Sequence, residues 1–123
     1  MSEKIDKAMA LFKERKYKEA IDAFSAVLET EPDNADVYNN LAVAYSCDGN
    51  FEQAENYFTK ALELDPQLAQ AYINLSDLYY KAGDLASAVG TLQKGSYELE
   101  DNLTIAHLLA RVYIDDQRWE DAI

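Results

Sequence analysis

Two asparagines, Asn40 and Asn74, stand 34 residues apart. Each sits in the same setting, between Tyr38 and Leu41 in one case and Tyr72 and Leu75 in the other. A carboxamide both donates and accepts hydrogen bonds, so two of them at one level could hold the N–H and C=O groups of a peptide backbone. A bond within their own helix pair is an equally ordinary use, and spacing alone leaves both open. Other chemistry is thinner. His107 is the single histidine, with no cysteine or second histidine near it to complete a metal set, so it reads as structural or as groove lining. Cys47 is the single cysteine, and Asp48 follows it. A neighbouring carboxylate raises a thiol's pKa and makes a poor nucleophile. The pair Asp115 and Asp116 has nothing in the sequence to desolvate it and reads as solvated face. There is no phosphate-binding loop, no G-x-G-x-x-G and no nucleophile elbow. No enzyme chemistry, cofactor or metal is expected.

The elements that must position the asparagines repeat. Shifted by 34, Tyr38 falls on Tyr72, Leu41 on Leu75, Tyr45 on Tyr79, Gly49 on Gly83 and Ala54 on Ala88. Upstream, Ala20, Phe24 and Pro32 fall on Ala54, Phe58 and Pro66. A fixed period of this length marks a stacked repeat. Apolar spacing predicts helices over 2–14, 17–29, 36–46, 51–64, 70–81, 85–99 and 103–115, then a turn at Asp116 and Gln117 and a restart at Arg118. Gly49 and Gly83 stand where the chain must reverse, and glycine tolerates the left-handed backbone needed there. Arg15 and Gln117 take that place in the first and last units. Pro32 stops the second helix, and Asp33 and Asn34 can cap the third. Gly90 and Gly95 lower the propensity of the sixth helix, which is expected to be the loosest or to end differently. Gly95 continues the column of Val27 and Ala61, a position for close packing.

The columns describe a core. Ala8, Ala42, Ser76 and Ala110 are small, as are Ala20, Ala54, Ala88 and Ala122. Leu11, Tyr45, Tyr79 and Tyr113 are large, as are Tyr17, Phe51, Leu85 and Trp119, and then Phe24, Phe58 and Leu92. Large side chains fill the space that small ones leave where helices cross.

The pattern resembles the tetratricopeptide repeat family, whose unit is a helix-turn-helix with W-x2-L-G-x2-Y, A-x3-F and a closing proline. The unit at 35–68 matches most fully, with Tyr38, Leu41, Ala42, Tyr45, Ala54, Phe58, Ala61 and Pro66. The next keeps Tyr72, Leu75, Ser76, Tyr79, Ala88 and Leu92 but has Glu100 in place of the proline. The first has Lys4 and Lys7 where large apolar residues are expected, and the fourth stops after Leu109, Ala110, Tyr113, Trp119 and Ala122. The resemblance implies an all-α fold, a right-handed α-solenoid of antiparallel helix pairs with about seven helices and the start of an eighth. Residues 1–123 would form one domain of repeats at about 1–34, 35–68, 69–102 and an incomplete 103–123. It also implies that the first helix of each pair lines a concave groove. That places Ile5, Met9 and Phe12 there, then Asn39, Asn40, Val43 and Ser46, then Ile73, Asn74, Asp77 and Tyr80, and finally His107, Arg111 and Ile114. Helical spacing independently puts each set on one side of its helix. Family members use an asparagine ladder in this column to hold extended peptides.

Members that hold the acidic tail of heat-shock chaperones use a clamp of Lys, Asn and Arg. The matching places here are Ile5, Met9, Asn40, Gln70 and Asn74, so only Asn40 fits and the cations are missing. An apolar or amphipathic segment is expected instead, with a basic residue near Asp77.

Charge narrows the partners. The net charge is -12, yet residues 1–18 carry six bases against three acids and residues 19–123 carry five bases against twenty acids. Most of the molecule should repel nucleic acid and anionic membrane. The cluster Lys13, Arg15, Lys16 and Lys18 reads as a solvated turn. No apolar run approaches the ~20 residues of a membrane span, and the N-terminus lacks the apolar stretch of a signal peptide. One cysteine suits a reducing, cytoplasmic setting. The function expected is a non-enzymatic module that binds a peptide or helical segment of another protein. The alternative is a self-assembling scaffold that stacks as a homo-oligomer through its C-terminal end, where Leu109, Val112 and Tyr113 would lack a covering helix. An ending of that kind also suits a piece of a longer protein.

Overall fold

Helix, turn and cap follow one another with the expected period. The computed structural model describes residues 3–121, with side chains as far as Asp115. It contains α1 (Glu3–Lys13), α2 (Tyr17–Thr30), α3 (Ala35–Cys47), α4 (Phe51–Leu64), α5 (Ala69–Lys81), α6 (Leu85–Glu98) and α7 (Leu103–Asp121). No strand occurs among the described residues. The chain divides into two compact units, Met1–Leu68 with α1–α4 and Ala69–Ile123 with α5–α7.

The turns show why these helices start and stop where they do. Gly49 (φ 86) and Gly83 (φ 82) are left-handed, and so is Arg15 (φ 63). After each, a backbone N–H reaches back five residues: Lys16 to Leu11 at 3.0 Å, Asn50 to Tyr45 at 2.9 Å and Asp84 to Tyr79 at 2.9 Å. These bonds use carbonyls that a helix end would otherwise leave unpaired. Arg15 adopts the same backbone without glycine's freedom, at a cost of about 1–2 kcal/mol. At the next N-termini, side chains accept from backbone N–H groups: Asn34 from Val37 (3.2 Å), Asn50 from Gln53 (3.2 Å), Asp84 from Ser87 (3.1 Å) and Asn102 from Ile105 (2.9 Å). The part-buried caps at Asn34 and Asn102 each contribute about 0.5–2 kcal/mol.

Two expectations are corrected. The sixth helix does not end differently. Leu99 N–H closes on the Gly95 carbonyl at 2.8 Å, as Glu31 does on Val27 and Asp65 on Ala61. The closure needs only a backbone donor, so Glu100 serves where the other two turns have proline. The second correction concerns the end. No turn forms at Asp116 and Gln117, and no eighth helix restarts at Arg118, because α7 runs on as one helix to Asp121. A turn there would need a left-handed backbone at Gln117, which costs a non-glycine residue about 1–2 kcal/mol. The contacts expected of Trp119 and Ala122 lie outside the described side chains.

The small columns are buried as expected except at Ala110, which is exposed on α7. In the first unit Ala8, Ala20, Ala42 and Ala54 have no exposed surface, and Phe24, Val27, Leu41 and Phe58 pack among them. Each of these large side chains stabilises the unit by about 1.5–3 kcal/mol. Two large columns are only partly core: Leu11, Tyr45 and Tyr79 are half-buried and Tyr113 is exposed, while Tyr17 and Leu85 are half-buried and Phe51 is exposed because each of these three is the first residue of its helix. In the second unit α6 lies between α5 and α7 and packs on both. Tyr72, Ala88, Leu92 and Ile105 are fully buried there. Gly95 has no side chain because there is no room for one: a Cβ would stand 2.9 Å from Tyr72 Cγ and 3.3 Å from Ile105 Cδ1.

Candidate functional site

The second unit holds a concavity between its first and last helices. Because α5 and α7 pack mainly on α6 and little on each other, a cleft remains between them, floored by fully buried Leu92. The pocket measures about 350 Å³ and is lined by Ile73, Asn74, Ser76, Asp77 and Tyr80 from α5, by Leu92, and by Leu108, Arg111 and Val112 from α7. Helical spacing explains the walls, since Ile73, Asn74, Asp77 and Tyr80 recur every three or four residues on one side of α5. Five residues expected in the groove therefore meet here: Ile73, Asn74, Asp77, Tyr80 and Arg111. Leu108 and Val112 were missed as lining. Val112 was expected to be an uncovered end residue, but it is only 5% exposed because it faces inward beside Leu92. Its spacing of four from Leu108 was the available signal.

The polar rim is partly satisfied internally. Gln70 Nε2 donates to Asn74 Oδ1 at 3.3 Å, so the asparagine's acceptor is engaged within its own helix. Lys81 Nζ lies 3.0 Å from Asp77 Oδ2, an exposed i,i+4 pair worth little on its own. Tyr80 Oη donates to the Asp115 carboxylate at 2.5 Å and joins α5 to α7. Gln93 Nε2 and Tyr113 Oη are also hydrogen-bonded and join α6 to α7. Ser76, in the small column, satisfies its hydroxyl on the Ile73 carbonyl at 2.8 Å. His107 is exposed and lies outside this pocket, in shallower depressions along α7 with Ile114 or Leu103.

In the first unit the expected groove residues are less open. Ile5, Met9 and Phe12 are half-buried against the core, and the Phe12 ring stands 5.5 Å from Tyr17. Asn40 and Val43 are half-buried, whereas Asn39 is 6% exposed. No buried side-chain nitrogen or oxygen among the described residues lacks a partner. A feature that the sequence did not single out lies between α3 and α4. Tyr57 stacks on Tyr45 at 5.4 Å and 5° and on Tyr38 at 6.0 Å and 21°. Its column holds Ala23 and Thr91, so periodicity gave no sign of it. Burial, then Tyr57, then Asp22 raise the Tyr45 pKa. At the α6 cap, hydrogen bonds from the Ser87 hydroxyl and the Ser87 N–H lower the Asp84 pKa.

Among the described residues no group of His, Cys, Asp or Glu is placed to hold a metal ion. Among the described residues no helix is long and apolar enough to cross a membrane. The arrangement offers an apolar pocket with a mixed polar rim, which suits reversible binding of a side chain or segment.

No curated protein matches the chain in sequence. Solved structures do match in fold. The first tetratricopeptide domain of Spaghetti (RPAP3), bound to the HSP90 peptide SRMEEVD, is 23% identical, with 91% of each chain covered and a TM-score of 0.79. The Sgt2 tetratricopeptide domain from Aspergillus fumigatus is 22% identical over 98% of this chain and 83% of its own, with a TM-score of 0.83. The TPR2B domain of yeast Sti1, in a complex with pHsp70, is 24% identical over 96% and 99%, with a TM-score of 0.79. These likenesses give the fold, an all-α solenoid of helix pairs. Two family models described as tetratricopeptide repeat match residues 4–67 and 47–112, each more than half of the chain. The chain belongs to the tetratricopeptide repeat family.

Proposed function

We propose that this chain is a non-enzymatic protein-interaction module that binds a peptide or helical segment of a partner protein. One observation carries the reading: the apolar cleft between α5 and α7, open at its mouth and floored by Leu92. The fold neighbours that hold HSP90 or pHsp70 ligands support a peptide ligand in general. They do not carry their acidic ligand over. SRMEEVD ends in acidic residues, and the clamp positions here are Ile5, Met9, Asn40, Gln70 and Asn74 in a chain of net charge -12. The ligand proposed is apolar or amphipathic, with a basic residue near Asp77.

The binding residues proposed are Ile73, Asn74, Asp77, Tyr80, His107 and Arg111 in the second unit, and Ile5, Met9, Phe12, Asn39, Asn40 and Val43 in the first. Asn40 and Asn74 would contact the ligand backbone. Asn40→Ala combined with Asn74→Ala should weaken binding of a peptide selected against the wild type while leaving thermal stability nearly unchanged. Unchanged affinity would remove the ladder. That residues 1–123 act as one domain, in a cytoplasmic setting, belongs to the same proposal. A single calorimetric unfolding transition is expected, and two separable transitions would set the one-domain reading aside.

A second reading, self-assembly through α7, draws on Leu103 (83% exposed), Ile114 (55%) and Tyr113 (40%). Sedimentation showing only monomer at high concentration would remove it.

A further inference from the structure

We infer that the Tyr80–Asp115 hydrogen bond is a tether that sets the opening of the α5–α7 cleft and so selects the size of the side chain it accepts. The inference rests on the reading of this cleft as the ligand site. Tyr80 lines the pocket with its ring, and its hydroxyl donates to Asp115 across the cleft at 2.5 Å. It stands one residue before the end of α5, so the bond spans one end of the cleft. Direct packing between α5 and α7 is sparse, and α6 supports both from behind. A bond from a hydroxyl to a carboxylate is among the stronger kinds. It joins the two walls at the C-terminal end of α5.

The repeat columns make the tether local rather than a property of the repeat. Phe12 and Ser46 stand where Tyr80 does, and Lys13, Cys47 and Lys81 stand where Asp115 does. None of those pairs could make this bond. Its members depart from the repeat at both ends, at the edge of the pocket. The tethered pocket, about 350 Å³ and walled in part by Ile73, Leu92, Leu108 and Val112, offers an aliphatic lining whose fit to a side chain depends on the spacing of its walls. Released, α7 can move off α5 at that end while Ile105 and Val112 keep it on α6. Tyr80 and Asp115 are then positioning residues for binding, acting through the spacing of the walls.

The test has two arms. Hydrogen exchange of the α7 amides from Leu109 to Ile114 reads the tether without any ligand. Tyr80→Phe keeps the ring and removes the donor, and Asp115→Ala removes the acceptor. Each should speed exchange there about fivefold, the double variant should add little, and Tyr97→Phe on α6 should change nothing. Unchanged exchange in Tyr80→Phe overturns the tether whether or not the cleft binds anything. The second arm titrates N-acetyl-leucine amide and N-acetyl-tryptophan amide, followed by NMR at Asn74 and Arg111. Wild type should favour the leucine probe, and Tyr80→Phe should shift the affinity ratio at least fivefold toward tryptophan. An unchanged ratio overturns the selection. Absence of binding by either probe to the wild type removes the ligand reading of the cleft, and the selectivity claim with it, while the exchange result still decides the tether.

Discussion

Gly95 and Tyr72 are complementary at the level of single atoms: a Cβ on Gly95 would lie 2.9 Å from Tyr72 Cγ and 3.1 Å from its Cβ. One repeat earlier the pair is Ala61 and Tyr38, and there the tyrosine is only half-buried. The loss of one methyl group in α6 accompanies complete burial of the ring in α5. The second unit thus spends helix propensity at Gly95 to seat Tyr72 against α6.

Gly95→Ala should therefore destabilise the protein despite alanine's higher helix propensity. Overpacking costs about 1–3 kcal/mol, against a propensity gain of roughly 1 kcal/mol. Gly90→Ala, with nothing within 4 Å of the new Cβ, should instead stabilise by up to about 1 kcal/mol. Urea midpoints compare the two, and the same sign for both substitutions would contradict the packing account.

Arg15→Gly should raise stability by about 1 kcal/mol, because it relieves a left-handed backbone that Gly49 and Gly83 adopt freely. Gly49→Ala should lower stability by a similar amount, although open space surrounds the site. Thermal melting of both variants is sufficient. A loss of stability in Arg15→Gly would mean that the arginine side chain contributes more than its backbone costs.

Tyr45 should ionise at higher pH than an ordinary phenol, through burial first and the neighbours Tyr57 and Asp22 second. A raised pKa means that the folded state holds the phenolic proton more tightly than the unfolded chain. This contribution to stability is full below pH ~10 and is lost as the pH rises through the folded value. Absorbance titration near 295 nm should show one late tyrosine, and Tyr57→Leu should bring it earlier. Asp84 has the opposite sign. Its lowered pKa supports the start of α6 above the ordinary carboxylate range, and that support is lost on acidification through the folded value. Ser87→Ala should raise the Asp84 carboxyl pKa in an NMR titration, and an unmoved carboxyl resonance would contradict the cap's role.

Much of the fold was legible because each repeat says the same thing again. Ala20, Ala54 and Ala88 could be read as buried from their column alone, and Gly49 and Gly83 as turns. The sequence misled where the backbone departed from its column. Gln117 was read as a turn because it shares the column of Arg15, Gly49 and Gly83, but α7 continues through it as helix. The cleft was half legible. Helical spacing brought Ile73, Asn74, Asp77 and Tyr80 to one side, but the Tyr80–Asp115 bond joins positions 35 apart, one residue off the period. Tyr57 was invisible for the same reason, since its stack depends on a residue that no other repeat carries.

The central claim is that the α5–α7 cleft receives the partner. The most direct measurement takes peptides selected from a random display library on the wild-type protein and compares their affinity for two α7 variants. Leu108→Glu puts a charge inside the pocket, and Leu103→Glu puts one on the exposed side of the same helix. The account predicts at least a tenfold loss for Leu108→Glu, with Leu103→Glu binding as wild type does and both variants folded by circular dichroism. Full affinity in Leu108→Glu, or a loss confined to Leu103→Glu, would contradict it.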